Sequence, residues 1–440
     1  MKITCPVTAF SKMRYNCLRP KTPVLSRDLL CFCADKSSIN RDILVKRHII
    51  PPSCNLEDYF KDISNGLFTL KSDRDLFFSF LNDGSIALSS SVLKDIKNPA
   101  SAVALKLDEN LSDANIFLLL SPKIAQGKGI GVNFSNFKNP HEKIKKINAY
   151  FKYKENTSQR PPAGIALLNI NHPEILDFIT MKDNEDFKNW CFDLSVILPS
   201  DFINKVDNNK DIILENGEKL NSRVLYNTLL NSMLKKGEPG IIFSEDKSYI
   251  CDPCGAKKLS KDEKFIISHI NLSKFYDDKN NSVDKLKLQS AAGILSKAMK
   301  NISNNSCIGV AGFGELLKKL GINYSDKKSL SVLSDCLKTI KTEVNKNGIK
   351  TAISPTGTVS KYLNTTAGIQ PENYNNISYM TQLEVLSVAQ KYTDCNISNT
   401  VILDNNADKS DVDKIIRYAA KNGLKGITVF KPRYFYSQNP

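Results

Sequence analysis

The chain is poor in the residues that most often mark hydrolytic or zinc chemistry. Its 440 residues include only four histidines (His48, His141, His172 and His269), none at a metal-ligand spacing from another. No Gly-x-Ser-x-Gly elbow is present, so a hydrolytic triad has nothing to stand on. No apolar run reaches the roughly 18 residues a membrane helix needs. The opening MKITCPVTAFSKMRYNCLRPK has its short apolar stretch broken by Lys and Arg, unlike a secretory signal. Internal repeats and low-complexity tracts are missing too. Hydrolases, zinc enzymes, membrane proteins and solenoids are thereby disfavoured, and a cytoplasmic location is expected.

Cysteine is plentiful by contrast. Eleven cysteines, an odd number irregularly spaced in a chain too large to need staples, argue for free thiols in a reducing compartment. A zinc site from Cys17, Cys31, Cys33 and Cys54 would lack paired Cys-x-x-Cys units, so free thiols are the expectation there as well. Lys and Arg number 61 against 46 Asp and Glu, a net charge of +15. That excess is mostly Lys, spread along the chain beside many Asn, with no Arg stripe or aromatic-interleaved basic patch. Nucleic acid is therefore not the expected partner, whereas anionic small molecules are.

The length exceeds the roughly 250–300 residues at which a single core stops growing, so two domains or one large α/β barrel fit. From about residue 75, short β-branched runs read as buried strands: 102–107 (AVALKL), 164–170 (GIALLNI), 192–199 (FDLSVILP) and 426–430 (GITVF). Helical patterns lie between them. One covers 283–300, with Leu286, Leu288, Ala292, Leu295 and Met299 on related faces, and another covers 381–392. A third, 411–422, follows Ser410 as N-cap and stops at Gly423. Strands alternating with helices imply parallel βαβ units. The polar stretches 205–222 and 275–285 read as solvated loops or helix edges.

Four short motifs stand out, each with a bland alternative. Gly127-Lys-Gly-Ile-Gly131 would let the backbone approach an anion or another strand, but lacks the later acidic residue of a dinucleotide site. Ser354-Pro-Thr-Gly-Thr-Val-Ser360 is either an N-cap turn or an anion cradle of hydroxyls and free N–H groups. Gly309-Val-Ala-Gly-Phe-Gly314 reads as tight helix packing. In Cys251-Asp-Pro-Cys-Gly-Ala256, Pro and Gly flank Cys254 as a tight loop presenting one thiol would require, the alternative being a buried inert thiol.

In order along the chain these strings form one pattern. RPPAGIALLNINHPEILDFITMKD (160–183), FDLSVILPSDF (192–202), GEPGIIFSED (237–246), DPCGA (252–256), HINLSKF (269–275), IGVAGFGELLKKLGINY (308–324) and ISPTGTVSKYLNTTAGIQP (353–371) resemble the large catalytic subunit of ribonucleotide reductases. NISNTVILDNNADKSDVDKIIRYAAKNGLKGITVF (396–430) is similar to the adenosylcobalamin-dependent class in particular. The resemblance implies a ten-stranded α/β barrel at 75–430 with a central finger loop, as in glycyl-radical enzymes. It also implies an N-terminal segment 1–74 without a regulatory ATP cone and a short tail, 431–440. Cys254 would carry the radical at the loop tip. Pro355, Thr356, Gly357, Thr358 and Val359 would seat substrate phosphates, and Ser90, Ser101, Ala102 and Gly129 would line the substrate pocket. Adenosylcobalamin is the implied cofactor, a ribonucleoside di- or triphosphate the implied substrate, and a nucleotide effector and a homodimer the implied partners.

The departures bear on the chemistry. The family's Asn-Pro-Cys-Gly-Glu loop here reads Asp252-Pro253-Cys254-Gly255-Ala256, and an alanine cannot act as the general base for the 3′-hydroxyl. Asp252, if ionised, is the candidate displaced base. The family's two reducing cysteines fall at about 102 and 265, here Ala102 and Phe265, and the last cysteine is Cys395, so the C-terminal relay pair is missing. Thiyl-radical reduction of ribonucleotides is the expected function, with Cys251 or an external reductant such as formate supplying electrons. The alternative is a catalytically impaired homologue that binds nucleotides or regulates another reductase.

Overall fold

The structure, a computed structural model, describes residues 39–432 except 156, 157, 159, 160, 187, 188 and 375. The described chain forms two compact units, one built on Ala100–Phe265 and the stretch after Asn376, the other on the residues up to Pro99 and Ile266–Asn375. No helix among the described residues is long and apolar enough to cross a membrane.

The first unit is mixed α/β around a largely parallel sheet. Strands β2 (Ala102–Leu105), β3 (Gly129–Asn133), β4 (Gly164–Asn169), β5 (Phe192–Leu198) and β8 (Gly240–Phe243) lie side by side in that order, all parallel. Helices Asp113–Ala125, Pro140–Lys154, Ile175–Thr180 and Ser222–Lys236 lie in the crossovers, as parallel pairing demands. Beyond β8, β15 (Gly426–Phe430) runs antiparallel to it, with β14 (Thr400–Ile402) parallel to β15. At the other edge β2 meets the first residues of β9 (Lys264–Asn271) antiparallel, pairing Ala102 with Phe265. The central strands are buried on both faces, which explains why they read as continuous apolar runs.

In the second unit β12 (Ser306–Ala311) is parallel to the Ile266–Asn271 part of β9, β13 (Lys350–Thr351) is parallel to β12, and β1 (Ile86–Leu88) runs antiparallel to β9. Helices Lys285–Ile302 and Lys327–Lys346 pack on one another beside this sheet.

The four expected strands and three expected helices all form, with local corrections. Leu286 is 76% exposed because it lies about 200° round the helix from Leu288, opposite the face shared by Leu288, Ala292, Leu295 and Met299. The last helix runs Lys409–Lys421 and is capped by Asp408, not Ser410. The Asp408 carboxylate accepts from the N–H groups of Ser410 and Asp411 while Asp411 accepts from Asp408 N–H, a reciprocal box that a serine one turn in cannot make. The polar stretches fold partly into hairpins, β6 (Asp211–Ile213) with β7 (Lys219–Asn221) and β10 (Tyr276–Asp277) with β11 (Ser282–Val283).

Candidate active site

After β8 the chain doubles back as a hairpin across the inner face of the parallel sheet. Its legs pair through Leu259 N–H to Ile250 O (2.8 Å) and Asp252 N–H to Lys257 O (3.2 Å). Asn133 at the end of β3 donates to Lys247 O and Tyr249 O, both at 2.9 Å, pinning the incoming leg. Tyr249 and Cys251 are buried against Ile165 and Leu167 of β4, Ile197 of β5 and Ile242 of β8. Burial pushes the Tyr249 hydroxyl far up, and its neighbours Cys251 and Asp252 add to the rise.

The glycine motif makes this seat. A Cβ on Gly131 would lie 1.8 Å from Cys251 O, and one on Gly129 would lie 2.6 Å from Pro253 Cγ. Of the two readings of that motif, close approach of backbone to backbone is the one observed. Gly127, at φ +69°, ends the preceding helix.

At the tip, Gly255 N–H closes a turn onto Asp252 O (2.8 Å), with Pro253 and Cys254 at its centre and Gly255 at φ +69°. Asp252 is buried and both its carboxylate oxygens are engaged by the loop, one by Cys254 N–H (3.0 Å), the other by Lys257 N–H (2.6 Å). Lys257 is in turn paired with Glu263 at 2.8 Å. Burial pushes the Glu263 carboxyl up, but Lys257 and the Ser260 N–H outweigh it and hold the group below its ordinary range. From the far side Asn396 donates its side-chain amide to Gly255 O (2.7 Å) and its backbone N–H to Ala256 O (2.9 Å). Cys254 is thus a half-buried thiol on a clamped turn, whereas Cys251 is wholly buried. Ala256 presents a buried methyl with no acid–base capacity. Ser101 feeds β2, its carbonyl accepting from Gly129 N–H at 3.0 Å.

The second unit holds Ser90 and the Pro355–Val359 turn. Ser90 opens the short helix Ser90–Lys94, and Tyr362 Oη donates to Leu88 O at 2.7 Å, tying that segment to the helix after the turn. Thr356 adopts φ +48°, a left-handed conformation that costs a threonine about 1–3 kcal/mol and clusters at functional sites. It is held there by Gly368 N–H donating to its Oγ1 (2.9 Å) and Ser360 N–H to its carbonyl (2.8 Å). Glu315 gathers the returning loop by accepting from Thr365 Oγ1, Thr366 N–H and Thr366 Oγ1. The backbone N–H groups of Gly357, Thr358 and Val359 have no acceptor among the described residues.

Sequence reasoning missed the supporting residues Asn133, Asn396, Glu315 and His269; asparagine and glutamate carry no local signal when their partners are distant in the chain. The Gly309–Gly314 motif does more than pack a helix. A Cβ on Gly309 would meet Ala352 O at 2.6 Å and the His269 ring at 3.0 Å, one on Gly312 would meet Asn271 Oδ1 at 2.3 Å, and only Gly314 serves helix packing, against Glu372. Cys17, Cys31 and Cys33 lie outside the described residues, and among those described no group of three or more metal-binding side chains is found.

The first unit is thus a mixed α/β domain with a clamped hairpin seated on its largely parallel sheet and Cys254 at the hairpin's tip. Residues 123–350, more than half of the chain, match the ribonucleotide reductase barrel domain, and the chain belongs to that family. It is 22% identical to a vitamin B12-dependent ribonucleoside-diphosphate reductase of Thermoplasma acidophilum, over 62% of this chain and 52% of that protein. It is 24% identical to a protein of the same description from Mycobacterium tuberculosis, over 48% of this chain and 39% of the other. The chain thus spans about half the length of the curated relatives it matches, or less. In structure it resembles the class Id ribonucleotide reductase alpha subunit of Actinobacillus ureae, with a TM-score of 0.73 at 13% identity, covering 90% of this chain and 98% of that one; this likeness speaks for the fold.

Proposed function

We propose that the chain reduces ribonucleotides to 2′-deoxyribonucleotides by thiyl-radical chemistry, as an oxidoreductase supplying DNA precursors. The observation that carries the reading is the clamped loop of Asp252–Ala256, seated on Gly129 and Gly131, with Cys254 at its tip. A thiyl radical on Cys254 would take the 3′-hydrogen of the ribose, after which the 2′-hydroxyl leaves as water. Net reduction then needs two electrons and two protons from a donor. Asp252 shapes the tip by accepting from the Cys254 and Lys257 N–H groups, and the lone pairs it keeps on each oxygen leave it the candidate displaced base. Pro355, Thr356, Gly357, Thr358 and Val359 are proposed to seat the substrate phosphates, supported by the unspent N–H groups of that turn. Ser90, Ser101, Ala102 and Gly129 are proposed as pocket lining.

Adenosylcobalamin is taken as radical source from kinship with the B12-dependent relatives. Cavities of about 410 and 800 Å³ occur in the two units, but no residue of the finger loop lines either. Substrate as a di- or triphosphate, a nucleotide effector and a homodimer are likewise carried from kinship.

One observation favours a second reading, a binding or regulatory homologue without turnover. Ala102 and Phe265 are direct cross-strand partners, the arrangement a reducing dithiol needs, yet neither bears a thiol. The deciding experiment is anaerobic conversion of labelled CDP and CTP with adenosylcobalamin, using dithiothreitol or formate in parallel and Cys254→Ala as control. Deoxy product that disappears in Cys254→Ala supports the reductase. Nucleotide binding without product supports the second reading.

A further inference from the structure

His269 and Ser354 form a buried pair beneath the Pro355–Val359 turn that the chemistry above does not use. The His269 ring lies on β9, across from Gly309 of β12, in space that only a glycine leaves. Its Nε2 is 3.0 Å from Ser354 Oγ, while its Nδ1 is sealed from solvent with no hydrogen-bond partner. Burial drives the ring to a pKa of about 3, so it is neutral and carries one proton on one of two nitrogens.

Which nitrogen holds the proton follows from what each choice leaves unmade. Nδ1 goes without a partner in either case, but an orphaned N–H in a sealed site is rarer in native proteins than an unpaired acceptor, which favours the proton on Nε2. With the proton on Nε2, the ring donates to Ser354 Oγ and only a lone pair is left bare at Nδ1. The Ser354 proton must then point away from the ring. Ser354 retains 7% exposure, and its hydroxyl has no other partner among the described residues, so that proton is free for an incoming acceptor.

We propose that His269 is a positioning residue that turns the Ser354 hydroxyl outward as an additional donor to an anion on the Pro355–Val359 turn. The inference rests on the phosphate-seat reading given above and adds to it two residues, His269 and Ser354. The ring fixes the direction of the hydroxyl, so the donor is set before the ligand arrives and no rotor entropy is lost on binding.

The test is equilibrium binding of CDP to the full chain by calorimetry. The wild type is compared with Ser354→Ala, His269→Leu, His269→Gln and the double variant Ser354→Ala/His269→Leu. Ser354→Ala and His269→Leu should each weaken binding roughly tenfold, and the double variant no more than either alone, since both remove the same donor. His269→Gln keeps an N–H donor near Nε2 and should restore most of the affinity. A merely structural role would give additive losses that follow the fall in Tm. In parallel, the nitrogen spectrum of ¹⁵N-histidine-labelled wild type reads the tautomer directly. A proton found on His269 Nδ1, or CDP affinity unchanged in Ser354→Ala, overturns the inference while leaving the phosphate seat standing. Wild-type chain that binds no CDP overturns the phosphate seat and this inference together.

Discussion

Gly131→Ala is the sharpest test of how the finger loop is held. The added Cβ would stand 1.8 Å from Cys251 O, against the 3.0 Å that real Cβ atoms essentially never breach, so strand or loop must retreat by more than an ångström. The obstacle is a backbone carbonyl packed in the core, which cannot rotate aside as a side-chain end would. Overpacking of this kind costs about 1–3 kcal/mol, which for a unit of this size lowers Tm by about 3–10 °C. The matched control is Gly66→Ala, in the helix Leu56–Leu67 with nothing within 4 Å, which should leave Tm unchanged or raise it slightly. The second readout is alkylation by iodoacetamide mapped to single cysteines. Cys251, buried in the native chain, should become labelled in Gly131→Ala and not in the control. A Gly131→Ala protein with native Tm and a protected Cys251 would refute the threaded-loop geometry.

Further outcomes follow from the same contacts. Asp252→Ala leaves the N–H groups of Cys254 and Lys257 without their acceptor in a buried site, and should cost about 2–4 kcal/mol in urea unfolding, with Asp252→Asn intermediate. Ala102→Cys combined with Phe265→Cys places two thiols on a registered cross-strand pair, and mild oxidation should join them in a bond that mass spectrometry reads. Lys182→Met strands the buried Glu238 carboxylate, now 2.7 Å from Lys182 Nζ, and should cost about 3–5 kcal/mol by chemical denaturation. His269 sits near pKa 3 in the fold against 6.5 in the unfolded chain, so below pH 6.5 the unfolded chain binds the extra proton. Its contribution to stability is therefore complete above pH 6.5 and lost as pH falls towards 3, with a slope of up to about 1.4 kcal/mol per pH unit. Stability curves of wild type and His269→Gln should diverge below pH 6.5, and parallel curves would contradict a neutral buried ring.

Much of the architecture was legible because it is written locally. Strands at 102–105, 164–169, 192–198 and 426–430 announce themselves as β-branched runs, since burial on both faces leaves no room for polar alternation. The loop around Cys254 was legible for the same reason: proline and glycine flanking a cysteine restrict the backbone whatever lies around it. The N-cap was misplaced by two residues, because Ser410 and Asp408 are both good caps and only the reciprocal bond from Asp411 selects between them. Leu286 stands two residues before Leu288, about 200° round the helix, so it faces away from the stripe that Leu288, Ala292, Leu295 and Met299 share.

The sequence by itself determined the alternation of strands and helices, the thiol-bearing turn, the hydroxyl-rich turn and the absence of a thiol at positions 102 and 265. These are properties of residue type and order, which side-chain chemistry and backbone restriction express without a partner. Only the tertiary structure decided what the glycines of 127–131 accommodate, that Ala102 faces Phe265, that Asp252 engages both oxygens inside its own loop, and that His269 lies buried against Ser354. Each of these is a contact between residues whose roles are set by proximity. A glycine reads the same whether it frees a turn or admits a carbonyl, and a histidine reads the same whether solvated or sealed. The neighbour supplies the difference, and the fold chooses the neighbour.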